Sequence, residues 1–118
     1  MEAETSSGTQ ISLRPERVAE LLDEGNVQVI DVREVSEWEA GHVGGASHIE
    51  FEQVSARADE IDKKVPVVFQ CRGGSRSEMI AAAFRESGWD AYNMDGGLRE
   101  WQERGLPLEP PGGHIEGA

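Results

Sequence analysis

Short apolar runs alternate with amphipathic stretches along most of this chain. Residues 27–32 (Val-Gln-Val-Ile-Asp-Val) and 65–69 (Val-Pro-Val-Val-Phe) are apolar and β-branched enough to predict strands with little exposed face. Residues 89–94 predict a last strand, and residues 10–13 and 46–49 two shorter, weaker ones. Between them the spacing becomes that of a helix. Pro15, then Val18, Ala19, Leu21 and Leu22, then Gly25 carry the start, stripe and stop of one helix. Residues 34–40 predict a short helix closed by Gly41, residues 51–61 and 77–87 two more, and residues 97–104 a last one stopped by Gly105 and Pro107. Strands alternating with helices imply the α/β class, a mainly parallel sheet covered on both faces. In such sheets ligands gather at the carboxyl ends of the strands.

At 118 residues the chain reads as one domain, large enough to bury a core without disulfides or metals. That domain is expected over residues 10–109, between a disordered segment at 1–9 and a flexible tail at 110–118 that begins with prolines and glycines. The acidic, polar start lacks the basic and apolar parts of a signal peptide, and no apolar run approaches the roughly 18 residues of a membrane span. A cytoplasmic protein is expected. A net charge of −12 and a pI of about 4.5 argue against nucleic acid or an anionic membrane as partner. Against that background residues 71–77 hold two arginines and no acid, a small positive island.

That island contains the single cysteine, in the run Cys71-Arg72-Gly73-Gly74-Ser75-Arg76-Ser77. One cysteine excludes an internal disulfide and fits a reducing compartment. The thiolate is the reactive form, and both helix N-termini and neighbouring cations favour it. Arg72 and Arg76 supply the cations, and the helix predicted behind them supplies unpaired N–H groups and a positive dipole end. Gly73 and Gly74 permit positive φ and close approach of backbone to a ligand, so that successive N–H groups can form a concave anion nest. A nucleophile, its activation and a cradle for negative charge thus fall within one turn. The plainer reading of a lone thiol is a buried, inert one. Arginine beside it and glycines after it are foreign to such a core position.

Three segments in order resemble the signature of the rhodanese-like family. The first is Asp31-Val32-Arg33-Glu34 with Glu37-Trp38 and Gly41-His42-Val43-Gly44-Gly45-Ala46. The second is the cysteine run, similar to the family's Cys-x-x-Gly-x-Arg loop. The third is Asp95-Gly96-Gly97-Leu98 with Trp101 and Gly105-Leu106-Pro107. Val43 stands for the usual isoleucine and Gly44 for the common proline. The resemblance implies a three-layer α/β/α domain with a mainly parallel five-stranded sheet, and a sulfurtransferase of the thiosulfate (rhodanese) type. Cys71 would take the outer sulfur of an anionic donor such as thiosulfate as a persulfide, held by the loop from Arg72 to Ser77. It would then pass that sulfur to cyanide, to a small thiol or to the thiol of a partner protein. No cofactor is called for. With no second cysteine, the accepting thiol must come from outside the chain.

The remaining marked residues have plainer readings. Asp31 and Arg33, at a strand's carboxyl end, are expected to form an ion pair or hydrogen-bond network that supports the site. His42 reads as a hydrogen-bonding structural residue. The spacing of His42, His48 and Cys71 matches no familiar zinc site, and no metal is expected. Trp38, Trp89 and Trp101 read as packing. Asp95-Gly96-Gly97 reads as the turn into the last helix, with Asp95 or a glycine near its cap, at the mouth of the pocket.

Two other functions belong to related architectures. Phosphatases and arsenate reductases use a cysteine loop for oxyanions, but theirs puts one more residue between cysteine and arginine than Arg72 to Ser75 does here. A shorter loop makes a smaller cradle, better suited to one sulfur than to a tetrahedral phosphate. Non-catalytic interaction modules of this family usually lack the cysteine, which this chain keeps.

Overall fold

The structure is a computed structural model that describes residues 11–115. Among these residues, β1 (Ser12–Leu13), β2 (Gln28–Asp31), β3 (Ser47–His48), β4 (Val67–Gln70) and β5 (Ala91–Met94) form one sheet in the order β1-β5-β4-β2-β3, every pairing parallel. The helices are α1 (Pro15–Glu24), α2 (Val35–Ala40), α3 (Ser75–Glu86) and α4 (Gly97–Glu103).

The continuous apolar run of β4 earns it the central place, where all four of its residues are buried. Successive side chains leave a strand on opposite faces, so Val29 and Val68 join one core cluster while Ile30, Val67 and Phe69 join the other. α1 and α4 close the first face through Val18, Leu98 and Trp101, and α3 closes the second through Ala81 with Phe84 packed beside it. Full burial of Leu98 or Phe69 contributes about 1.5–3 kcal/mol each. The result is the expected α/β/α layering around a five-stranded sheet.

The helix signals act as the sequence implies. Pro15 opens α1, and Gly25 ends it in the left-handed region at φ 74°, its N–H turned back to the carbonyls of Leu21 and Leu22. Glu34 caps α2 through a capping box in which Glu37 accepts the Glu34 N–H at 3.0 Å.

Three expectations need adjustment. Residues 51–61 are not one helix but two 3₁₀ turns, Phe51–Gln53 and Ala58–Glu60. Val54 and Ile61 are both buried, but between them the inward position falls to Arg57 and the small Ala58, so a continuous helix would have no stripe to bury there. Arg57 instead closes a local turn, its N–H on the carbonyls of Gln53 and Val54 and its guanidinium on Glu60 at 2.8 Å. The helix expected from Ser77 starts two residues earlier, at Ser75.

Finally, the described part of the expected tail lies against the fold. Just before it, Glu109 exchanges backbone hydrogen bonds with His42; within it, the His114 N–H reaches the Ala40 carbonyl at 2.9 Å and Ile115 is buried in the α1–α4 core. The expected N-terminal segment 1–9 lies outside the described residues.

Candidate active site

Cys71 directly follows β4, at the carboxyl end of the central strand, and is buried with 1% of its surface exposed. Two hydrogen bonds fix the backbone on either side of it. The Val32 N–H from the end of β2 binds the Gln70 carbonyl at 2.9 Å, and the Leu98 N–H binds the Cys71 carbonyl at 2.9 Å. The chain then turns through Arg72 and Gly73 to Gly74, which caps α3 at φ 102°. That left-handed conformation is open to glycine and strained for other residues. Gly73 needs no such licence: its φ is not positive and it faces open space.

The turn aims its donors at the sulfur. The Gly74 N–H lies 3.1 Å from Cys71 Sγ, and the N–H of Ser77 lies 3.5 Å away. Ser77 is the third residue of α3, so its N–H has no partner within the helix and is available to an anion. The Ser77 hydroxyl stands 3.4 Å from the same sulfur. Cys71 thus sits in a backbone nest at the positive end of a 12-residue helix.

A second helix end holds the loop itself. The N–H groups of Leu98 and Arg99, in the first turn of α4, bind the carbonyls of Cys71 and Arg72 at 2.9 Å each. Gly97 makes this docking possible. Its φ is +66°, and a Cβ there would overlap the Arg72 carbonyl and come within 2.7 Å of the Cys71 carbonyl oxygen. Gly96 is the cap of α4 and Asp95 remains exposed. The Asp95-Gly96-Gly97 turn therefore clamps the cysteine loop from behind.

Charge surrounds this nest. Arg72 and Arg76 are half-buried, and Arg76 approaches Glu37 of α2 at 4.0 Å. Asp31 and Arg33 form a fully buried ion pair, with Arg33 Nη2 2.8 Å from Asp31 Oδ2 and Nε 3.0 Å from Oδ1. The Arg33 backbone N–H also donates to Asp31 Oδ1, and Nη2 donates to the Gly41 carbonyl at 2.7 Å. The pair fastens the α2 loop to the end of β2, next to the strand that carries Cys71. None of its hydrogen bonds goes to the sulfur.

His42 and His48 are engaged in the same scaffold. His42 bonds the Trp38 carbonyl through Nδ1 at 2.8 Å and stacks on the Trp38 ring at 3.6 Å, while His48 bonds the Arg33 carbonyl at 2.6 Å. Trp101 is buried in the core and Trp89 packs edge-on against Phe84.

One residue of the site escapes the sequence reading. Asn93 in β5 is 3% exposed, and its Oδ1 lies 2.5 Å from the Ser77 hydroxyl. Its signal was a polar side chain in the middle of a strand, since a buried amide needs a partner. The pairing of Asn93 with Phe69 brings it beside the loop, and nothing local announces that pairing.

A cavity lies elsewhere among the described residues. It measures about 410 Å³ and lies between α1, Val43-Gly44 and Pro107, on the opposite face from α3. Neither Cys71 nor its loop lines it.

The Rhodanese-like domain family matches residues 14–104. The chain is 34% identical over 111 residues to the thiosulfate sulfurtransferase GlpE of Pseudomonas aeruginosa, covering 93% of this chain and 99% of that protein. It is 33% identical over 98 residues to the protein of the same name from Actinobacillus succinogenes, covering 82% and 88%. A solved rhodanese-related protein from Thermoplasma volcanium shares the fold with a TM-score of 0.78 at 21% identity, covering 83% of this chain and 96% of that one.

Proposed function

This chain belongs to the rhodanese-like domain family, and we propose from that premise that it is a thiosulfate-type sulfurtransferase working through a persulfide on Cys71. The observation that carries the proposal is the position of Cys71 Sγ under the N–H groups of Gly74 and Ser77. A sulfur held there as an anion meets preorganised donors at no cost of rearrangement, the logic of an oxyanion hole.

In the first half-reaction the Cys71 thiolate attacks the outer sulfur of thiosulfate. A new S–S bond forms, the old one breaks, and sulfite leaves with the electron pair. Cys71 then carries a persulfide anion. In the second half-reaction cyanide attacks the terminal sulfur, thiocyanate departs and the thiolate returns. A thiol in place of cyanide takes the sulfur in the same way. The sequence is covalent and ping-pong. Arg72 and Arg76 attract a doubly charged donor into a molecule whose net charge of −12 repels it at long range. Asp31 and Arg33 act as support, holding the turns beside β4.

Phosphate chemistry is the alternative. Only Arg72, Gly73, Gly74 and Ser75 separate the cysteine from Arg76, and the donors converge on one atom-sized point at Sγ. The test compares catalytic efficiencies on one preparation, thiosulfate with cyanide against a small aryl phosphate. Thiocyanate formation should dominate, with negligible phosphate release. A better phosphatase than sulfurtransferase would replace this reading with the other.

A further inference from the structure

Ser77 Oγ carries one hydrogen and stands within reach of three acceptors: Asn93 Oδ1 at 2.5 Å, the Gly74 carbonyl at 3.2 Å and Cys71 Sγ at 3.4 Å. One proton cannot serve all three. With the Asn93 amide turned so that its oxygen faces Ser77, the shortest contact draws the hydroxyl proton away from the sulfur. The Nδ2 of Asn93 then donates to Ser12 Oγ at 3.2 Å.

A primary amide is nearly the same shape after a half-turn, with donor and acceptor exchanged. In that orientation Nδ2 donates to Ser77 Oγ, and Oδ1 faces the Ser12 hydroxyl, a group able to donate as well as accept. The Ser77 proton is then free to point at Cys71 Sγ. The sulfur gains a third donor beside the N–H groups of Gly74 and Ser77. Because Ser77 is fully buried and Asn93 nearly so, water cannot supply the missing donor cheaply.

We propose that Asn93 is a positioning residue for sulfur transfer: the orientation of its amide decides whether the Ser77 hydroxyl donates to the sulfur of Cys71. An anionic sulfur, thiolate or persulfide, favours the orientation that releases the proton to it. A neutral thiol tolerates the other. Asn93 itself touches no reacting atom in this scheme, and it acts only through Ser77. The purpose of the device rests on the sulfur-transfer reading.

Its test does not. Alkylation of Cys71 by iodoacetamide reports the anionic sulfur without any sulfur donor, so a failed sulfurtransferase assay and a failed relay are distinguishable. Asn93→Asp keeps the shape, but an ionised carboxylate only accepts and so holds the Ser77 proton. The alkylation rate near pH 7 should fall about ten-fold, the scale of one hydrogen bond to a charged group. The deficit should shrink as the pH rises, because at alkaline pH the thiolate forms without help.

Ser77→Ala should show a similar loss. In that background Asn93→Asp should add little, because the route to the sulfur is already cut. An Asn93→Asp effect that persists undiminished beside Ser77→Ala would overturn the proposal, since it would be the direct field of the new charge. If Asn93→Asp does not fold, as judged by circular dichroism, Ser77→Ala decides alone. A parent-like alkylation profile in that variant would overturn the relay.

Discussion

Arg76 carries a charge that the proposed donor would share with Glu37. It belongs to the first turn of α3, beside the sulfur nest, and it also approaches Glu37 at 4.0 Å. With 37% of its side chain exposed, that ion pair is loose, and exposed pairs contribute little to stability. On the proposed function the guanidinium serves the donor more than the fold. Replacing Arg76 by alanine should lower kcat/KM for thiosulfate about ten-fold or more, the scale of a charge-assisted hydrogen bond in a partly desolvated site. Thermal stability should barely change. A variant with the parent's thiosulfate kinetics would make Arg76 a solvated surface charge.

The placement of Cys71 and its loop was legible because an apolar strand, two glycines and a helix follow one another directly in the sequence. Asn93 was not, because its role comes from a neighbour sixteen positions away across the α3–β5 contact. The Asp31–Arg33 pair was legible as a pair. Its further bond to the Gly41 carbonyl depends on where α2 returns, which sequence spacing does not state.

At the scale of elements, the site is a meeting of two helix ends on one loop. α3 turns its free N–H groups toward the sulfur, and α4 turns its own toward the loop carbonyls. Two glycines make this possible for different reasons, and alanine distinguishes them. At Gly74 an added Cβ meets nothing nearer than 3.7 Å, so Gly74→Ala should cost only the left-handed backbone strain, about 1–2 kcal/mol. At Gly97 the same strain comes with overlap against the Cys71 and Arg72 carbonyls. Gly97→Ala should cost clearly more in urea unfolding and should also impair turnover, because the loop must move off α4. Equal losses in the two variants would deny the clamp.

Long elements with strong punctuation, such as α1 between Pro15 and Gly25, were readable from the sequence. The segment 51–61 was not. Phe51, Val54 and Ile61 fall on helical spacing, yet two short turns bury Val54 and Ile61 while following the sheet face. Periodicity counts inward positions without saying what lies between them.

Across the whole molecule, an acidic surface surrounds a buried charge pair and a small basic site. One surface contact joins distant parts of the chain: Arg104, at the end of α4, meets Glu16, at the start of α1, at 2.7 Å. The hydrogen bond to Arg104 holds the Glu16 carboxyl below its ordinary value of 4.5. A lowered folded value means that the contribution is present above pH 4.5 and is lost as the pH falls through the acid range. Both groups are exposed, so the effect is small and salt weakens it. Glu16→Gln should be slightly less stable than the parent at pH 7 in low salt and should match it near pH 3. A gap that is constant across that range would assign the difference to packing instead.

The central claim is that the buried sulfur of Cys71 is the atom on which sulfur is carried. Intact-protein mass spectrometry after incubation with thiosulfate measures this directly. The parent should gain the mass of one sulfur atom, located to Cys71 by fragmentation, and should lose it on addition of cyanide as thiocyanate appears. Cys71→Ser should gain nothing. A parent protein that takes up no sulfur, or a Cys71→Ser protein that takes it up equally, would contradict the account.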